Sequence, residues 1–197
     1  MADQYNLLGH QAGWSMLTRA KIRGLTLIEL MIGIVIVGLL LAFALPSYTT
    51  WLHNSQIRTA AESILNGMQL ARAEAVRQNT NVQFVLTALP MSDWTVSVVT
   101  SPVPPIQTRS SAEGSATARV AASPTGATKI TFNSLGRVVV PTNPDGSTTL
   151  TEADVTSTVV GATRHLKVRV SGGGMRMCDP DPGLAAATPP NPQSCFY

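Results

Sequence analysis

Charged side chains are scarce in this sequence: 13% of its 197 residues are Asp, Glu, Lys or Arg, and 5% are aromatic. Thr, Ser, Val, Ala and Gly are abundant instead, which suits a β-rich, secreted-type domain better than a helical cytosolic enzyme. Histidine is thin too, with His10, His53 and His165 far apart. No Gly-x-Ser-x-Gly elbow and no phosphate loop with its Lys occurs. Without nucleophile, base and orienting group in one pattern, no enzyme activity and no cofactor are expected. Cysteine appears twice, at Cys178 and Cys195, with no Cys-x-x-Cys pair and no Cys/His cluster of the kind zinc requires. Asp179 and Asp181, in "CDPDPG", lack the further oxygen ligands that calcium needs and read as turn residues.

The formal charge of +3 invites a nucleic-acid reading, but its distribution weakens it. Residues 1–24 carry a net +2 from Arg19, Lys21 and Arg23 against Asp3, and the remainder carries only +1. Any anion-binding argument must therefore be local. The two cysteines close a short Pro/Gly/Asp-rich segment, the pattern of a single disulfide in an oxidising compartment. Such a loop stabilises by roughly 3 kcal/mol in the chain-entropy account. The alternative is two unrelated thiols.

What the sequence does have is one long apolar run. Leu25 to Leu45 spans 21 residues, and only Thr26 and Glu29 among them are clearly polar. As a helix rising about 1.5 Å per residue it would cross a hydrocarbon core of roughly 30 Å. The run is too long for a signal-peptide core, and no Ala-x-Ala site follows it. Arg19, Lys21 and Arg23 precede it, so the positive-inside rule leaves them cytoplasmic and sends the rest of the chain outward. Glu29 is the anomaly. An ionised side chain in lipid costs on the order of 3 kcal/mol even on lenient insertion scales.

Here the chain resembles type IV prepilins, whose processing motif is Gly, a hydrophobic residue, three more residues and Glu. In this sequence it reads Gly24-Leu25-Thr26-Leu27-Ile28-Glu29. The resemblance implies cleavage by a prepilin peptidase between Gly24 and Leu25 and methylation of the new amine on Leu25. Glu29 then becomes the fifth residue of the mature chain. Leu25 departs from the family's usual Phe but keeps the hydrophobic character. The resemblance also implies that Glu29 meets the N-terminal amine of a neighbouring subunit, and pairing offsets much of the penalty on a lone buried carboxylate. The plainer explanation is that Glu29 snorkels to the nearby interface. Met16 opens a compact basic leader, "MLTRAKIRG". Residues 1–15 read as an extension from a mis-set translation start, so His10 and Trp14 carry no function. Gly38 and Pro46 fall where pilin helices often carry Gly and Pro, and Pro46 is expected to weaken the helix.

After the run, Ile57, Ala61, Ile64, Met68, Ala71 and Ala75 recur at spacings of three and four, predicting an amphipathic helix from Ser47 to about Gln78, ended by Asn79-Thr80-Asn81. Strand-like runs follow at residues 82–86, 94–99, 129–132, 137–140, 156–160 and 164–170. "NPDG" at 143–146 is a turn by composition, and residues 101–128 read as a long surface loop. The expected fold is α+β: a long N-terminal helix, transmembrane in its first half, packed on antiparallel sheet. Three segments are expected: a cleaved leader, 1–24; a transmembrane and filament-core helix, 25–46; and a periplasmic helix-plus-sheet domain, 47–197.

Within pilin-like proteins the chain is similar to the GspH/FimT family. "NGMQLARAEAVRQNTNV" (66–82) resembles that family's helix end, "ITFNSLGRV" (130–138) its central strand turn, and "HLKVRVSGGGMRMC" (165–178) its last strands. Residues 101–128 and the tail after Cys178 match poorly. The implied function is a minor pilin or pseudopilin that joins a type IV pilus or type II secretion filament and helps prime or cap it. Its partners would be prepilin peptidase, other pilins and the inner membrane. An alternative is a DNA-binding pilin. Alternation in "RHLKVRV" puts Lys167 and Arg169 on one strand face, Arg176 follows, and no acid lies between Arg164 and Cys178. In FimT-type members a Gly-Arg-x-Arg motif near here is linked to DNA. The matching Gly173-Gly174-Met175-Arg176 keeps only the second Arg. Lys167, Arg169 and Arg176 are thus the candidate contacts for double-stranded DNA, a solvated strand face being the plainer reading. The glycines 172–174 read as a flexible turn or an anion-binding nest.

Overall fold

The two adjoining helical patterns join into one element. In the computed structural model, α1 runs from Leu27 to Gln78. The structure describes residues 24–100, 104–171, 174–186 and 191–195. The leader, including His10, Trp14, Met16, Arg19, Lys21 and Arg23, lies outside the described residues, as do Gly172 and Gly173 of the triple-glycine turn. The chain divides into two units, Met1–Leu41 and Ala42–Tyr197. In the first, every described side chain is exposed although almost all are apolar, the pattern of a segment whose solvent is not water.

In the second unit α1 continues through Pro46, whose carbonyl accepts the Thr49 and Thr50 hydroxyls at 2.9 and 3.1 Å. The helix stops where the sequence predicts. Asn79 takes a positive φ of 50°, which a short amide side chain tolerates. Its N–H donates to the Val76 carbonyl, and the Thr80 N–H to the Ala75 carbonyl, a Schellman closure. All six residues of the predicted stripe are fully buried, joined by Ala60, Ser63 and Gly67.

Eight strands follow: β1 (Val82–Leu86), β2 (Trp94–Val98), β3 (Gln107–Arg109), β4 (Ala118–Ser123), β5 (Lys129–Phe132), β6 (Glu152–Ser157), β7 (Leu166–Ser171) and β8 (Gly174–Cys178), then a short helix α2 (Pro182–Ala185). They form two four-stranded sheets, ordered β3-β2-β1-β5 and β4-β6-β7-β8, with every strand pair antiparallel. The α+β architecture is as expected. Inward residues of both sheets (Val82, Phe84, Trp94, Val96, Ile130, Phe132, Val155, Val168) share one core with the helix stripe.

Three expectations on the strands need correction. Residues 101–128 are not one loop, for they hold β3 and β4. β3 is a short edge strand without apolar alternation, and β4 turns Ala118 and Val120 inward, an Ala where strands usually signal with larger residues. Residues 137–140 make only an isolated bridge, Phe132 to Val138. The strand placed at 156–160 is β6, at Glu152–Ser157. Its inward residues are Ala153 and Val155, while the louder Val159-Val160 pair belongs to the turn that follows.

Helix and first sheet meet at Gly67. A Cβ there would stand 2.7 Å from Phe84 Cε2 and 3.1 Å from Trp94 Cδ2. The Phe84 and Trp94 rings lie 5.6 Å apart, and Trp94 Nε1 donates to the buried Ser63 hydroxyl at 2.8 Å. Gly67→Leu is expected to lower the urea midpoint of the detergent-solubilised chain by the equivalent of about 1–3 kcal/mol, the usual range for overpacking. An unchanged midpoint would show that the two rings can move aside.

Candidate functional site

Two clusters carry the residues singled out in the sequence. The first opens α1. Gly24 and Leu25 precede the helix, and Leu25 is exposed. Thr26 caps it: its hydroxyl accepts the Glu29 N–H at 3.2 Å, and its carbonyl accepts the Leu30 N–H at 3.1 Å. Thr-x-x-Glu ahead of an apolar run is the capping-box pattern. That signal was available in the sequence, and Thr26 is the residue sequence reasoning passed over. The Glu29 carboxylate sits in the first helical turn, where the peptide dipoles favour negative charge. It shares a shallow groove with Leu25, Leu30, Gly33, Ile34 and Val37. Gly33 has nothing within 4 Å of where a Cβ would project, so another helix can approach closely beside the carboxylate.

The second cluster is the outer face of β6, β7 and β8. Alternation holds on β7: Leu166 and Val168 are buried and Lys167 and Arg169 point out. What the strand alone does not reveal is its neighbour. Register sets Glu152 opposite Arg169 and Asp154 opposite Lys167. The Lys167 ammonium lies 2.7 Å from Glu152 Oε1 and 3.5 Å from Asp154 Oδ2. Arg169 Nε lies 3.1 Å from Glu152 Oε2, and its Nη1 donates to the Cys195 carbonyl at 2.9 Å. His165 Nε2 contacts Asp154 Oδ1. Arg176 stands opposite Arg169 in the β7–β8 register. Two of the three candidate DNA cations, Lys167 and Arg169, are thus paired with carboxylates of the neighbouring strand. The sequence reading counted no acid between Arg164 and Cys178. It missed Glu152 and Asp154 because it began that strand at residue 156.

Beside this face the two cysteines form a disulfide, Cys178–Cys195, with Cα atoms 4.9 Å apart, which resolves the pairing question. The enclosed segment is tied down by Asp179 N–H to the Gln193 carbonyl and Cys195 N–H to the Asp179 carbonyl. Asp179 accepts from the Asp181 N–H, and Asp181 caps α2 by accepting from the Gly183 N–H. Both aspartate side chains thus accept from backbone N–H groups of the local chain. Among the described residues no group of three or more His, Cys, Asp or Glu side chains converges to hold a metal ion.

The Glu152 hydrogen bond, aided by both carboxylate charges and opposed by partial burial, holds the Lys167 amine above its ordinary value of 10.5. A raised amine stabilises the fold fully below its unfolded value, and the contribution is lost as pH rises through the folded one. Glu152→Gln should therefore bring Lys167 titration down toward its ordinary value and shrink the fall in melting temperature between about pH 9 and 12. An Nζ resonance that titrates unchanged would show that Glu152 does not hold the amine.

Comparison with known proteins follows this geometry. A family profile described as Type II transport protein GspH matches residues 60–174, more than half of the chain. A second, described as Prokaryotic N-terminal methylation motif, matches residues 19–45. No curated protein matches. Among solved structures, the type IV minor pilin FimU of Pseudomonas aeruginosa strain PAO1 is similar in two crystal forms. In space group P65 the identity is 20% and the TM-score 0.45, over 70% of this chain and 98% of that one. In P21 the identity is 21% and the TM-score 0.43, over 71% and 94%. The profile, which runs from the later part of α1 through β7, decides the matter: the chain belongs to the GspH family of type IV pilin-like proteins.

Proposed function

We propose that this chain is a membrane-anchored minor pilin or pseudopilin, a structural subunit that assembles into a type IV pilus or type II secretion filament. One observation carries the reading. The methylation motif coincides with a helical segment that is apolar, exposed on every side and notched beside Glu29. In this reading residues 1–24 are removed by prepilin peptidase and Leu25 is methylated. Residues 25–46 cross the inner membrane and then pack in the filament core, and residues 47–197 form the periplasmic domain. Glu29 is too expensive for a monomer in lipid and becomes less so beside the amine of a neighbouring Leu25. The penalty itself favours assembly. The DNA-binding alternative loses ground because Lys167 and Arg169 already have carboxylate partners.

Two substitutions separate processing from assembly. Gly24→Ala should leave the leader attached, so that mass spectrometry finds no methylated chain beginning at Leu25. A shortened, methylated product would displace the cut site. Glu29→Ala should be processed normally yet enter filaments about tenfold less or worse, a loss of the order of 1.4 kcal/mol. Undiminished incorporation would remove the carboxylate from the account.

A further inference from the structure

Just past the apolar run, the Ala42–Tyr197 unit leaves large side chains uncovered. Tyr48 is 58% exposed and Trp51 63%, and their rings form a tilted pair 6.1 Å apart. Val160, at the tip of the turn between β6 and β7, is 97% exposed. The turn is fastened to α1 at the same height. A Cβ on Gly161 would lie 3.0 Å from the Thr50 hydroxyl. One turn further along, Asn54 Oδ1 accepts the N–H groups of Thr163 and Arg164 at 3.1 and 3.0 Å. Val160 therefore stands beside the Thr50 side of the helix. At about 100° per residue, Trp51 and Tyr48 lie roughly 100° and 160° around from Thr50.

The three apolar groups thus span an arc of roughly 160° at one height. A lipid interface surrounds the axis and meets all three. Two further observations point the same way. The hydroxyls at this level, on Thr49 and Thr50, are satisfied internally by the Pro46 carbonyl, as a chain near hydrocarbon requires. Residue count also agrees: Tyr48 and Trp51 follow Leu45, the last residue of the 21-residue apolar run, by three and six residues. At about 1.5 Å per residue that run is long enough to cross a hydrocarbon core of roughly 30 Å, which leaves both rings just past its end. Arg164, exposed and without an ion pair among the described residues, is anchored at the level of Asn54 and adds a cation in the layer where lipid phosphates lie.

We propose that Tyr48, Trp51 and Val160 form an interfacial belt that seats the Ala42–Tyr197 unit on the lipid surface before the subunit enters a filament. The proposal rests on the membrane-anchor reading above. Tyr and Trp favour this depth because their rings are apolar at one end and polar at the other. Val160 adds a second point of contact, on a side of the helix that the aromatics leave open.

The test uses the full chain in phosphatidylcholine–phosphatidylglycerol vesicles containing lipids brominated near the headgroup or near the methyl end of the acyl chain. Subtracting the emission of Trp51→Phe from that of the parent isolates Trp51. Adding Val160→Trp to the Trp51→Phe chain reports the turn. Both signals are expected to be quenched about twofold or more by the shallow bromolipid, and less by the deep one. If the protein floats with vesicles while both indoles respond to aqueous iodide and ignore bromolipid, the belt is overturned and the anchor stands. Quenching of Trp51 alone overturns the seating of the turn. Failure to float removes the anchor reading and the belt with it.

Discussion

Everything in the Ala42–Tyr197 unit hangs on how closely the first sheet approaches α1. The helix presents Ala60, Ala61, Ser63, Gly67, Ala71 and Ala75, side chains so small that Phe84 and Trp94 rest almost against its backbone. Small residues would leave a wide cavity against a sheet of Val and Ala. Here the two aromatic rings fill the space beside Gly67. The close approach also brings the Trp94 indole N–H to Ser63, so the polar atom that a Trp buries finds its acceptor on the same stripe. The helix is thus lined with small residues where it meets the sheet and with large apolar ones along its exposed first part.

The helix was legible because its signals are local. Period, stop residue and buried stripe all depend on neighbours within one or two turns, and Asn79 ends α1 where its composition implies. The GspH-family membership was also legible, from motifs in the helix end and the last strands. Strands were legible only where alternation used large residues. β1 and β5 were located to the residue, whereas β4 and β6 turn Ala inward and were lost or displaced. Displacing β6 by four residues had a chemical consequence, for it hid Glu152 and Asp154 from the strand they neutralise. Electrostatics on a sheet belongs to pairs of strands, and register is a long-range fact that no single segment of sequence contains.

The ladder of His165, Lys167 and Arg169 against Asp154 and Glu152 also shows why net charge is a poor guide to partners. Pairs close to the surface contribute little stability individually. They also set a carboxylate beside two of the cations on that face. A chain with a basic pI of about 9.2 can in this way carry strand cations that already have partners.

The closure at the end of the chain bears on mechanics. Cys178, the last residue of β8, is bonded to Cys195, and Arg169 of β7 holds the Cys195 carbonyl. Tension applied at Cys195 therefore passes directly into two adjacent strands of the second sheet. The segment between the cysteines carries none of it and cannot be drawn out as slack. A fold built this way meets a pull beyond Cys195 with a sheet loaded across its width.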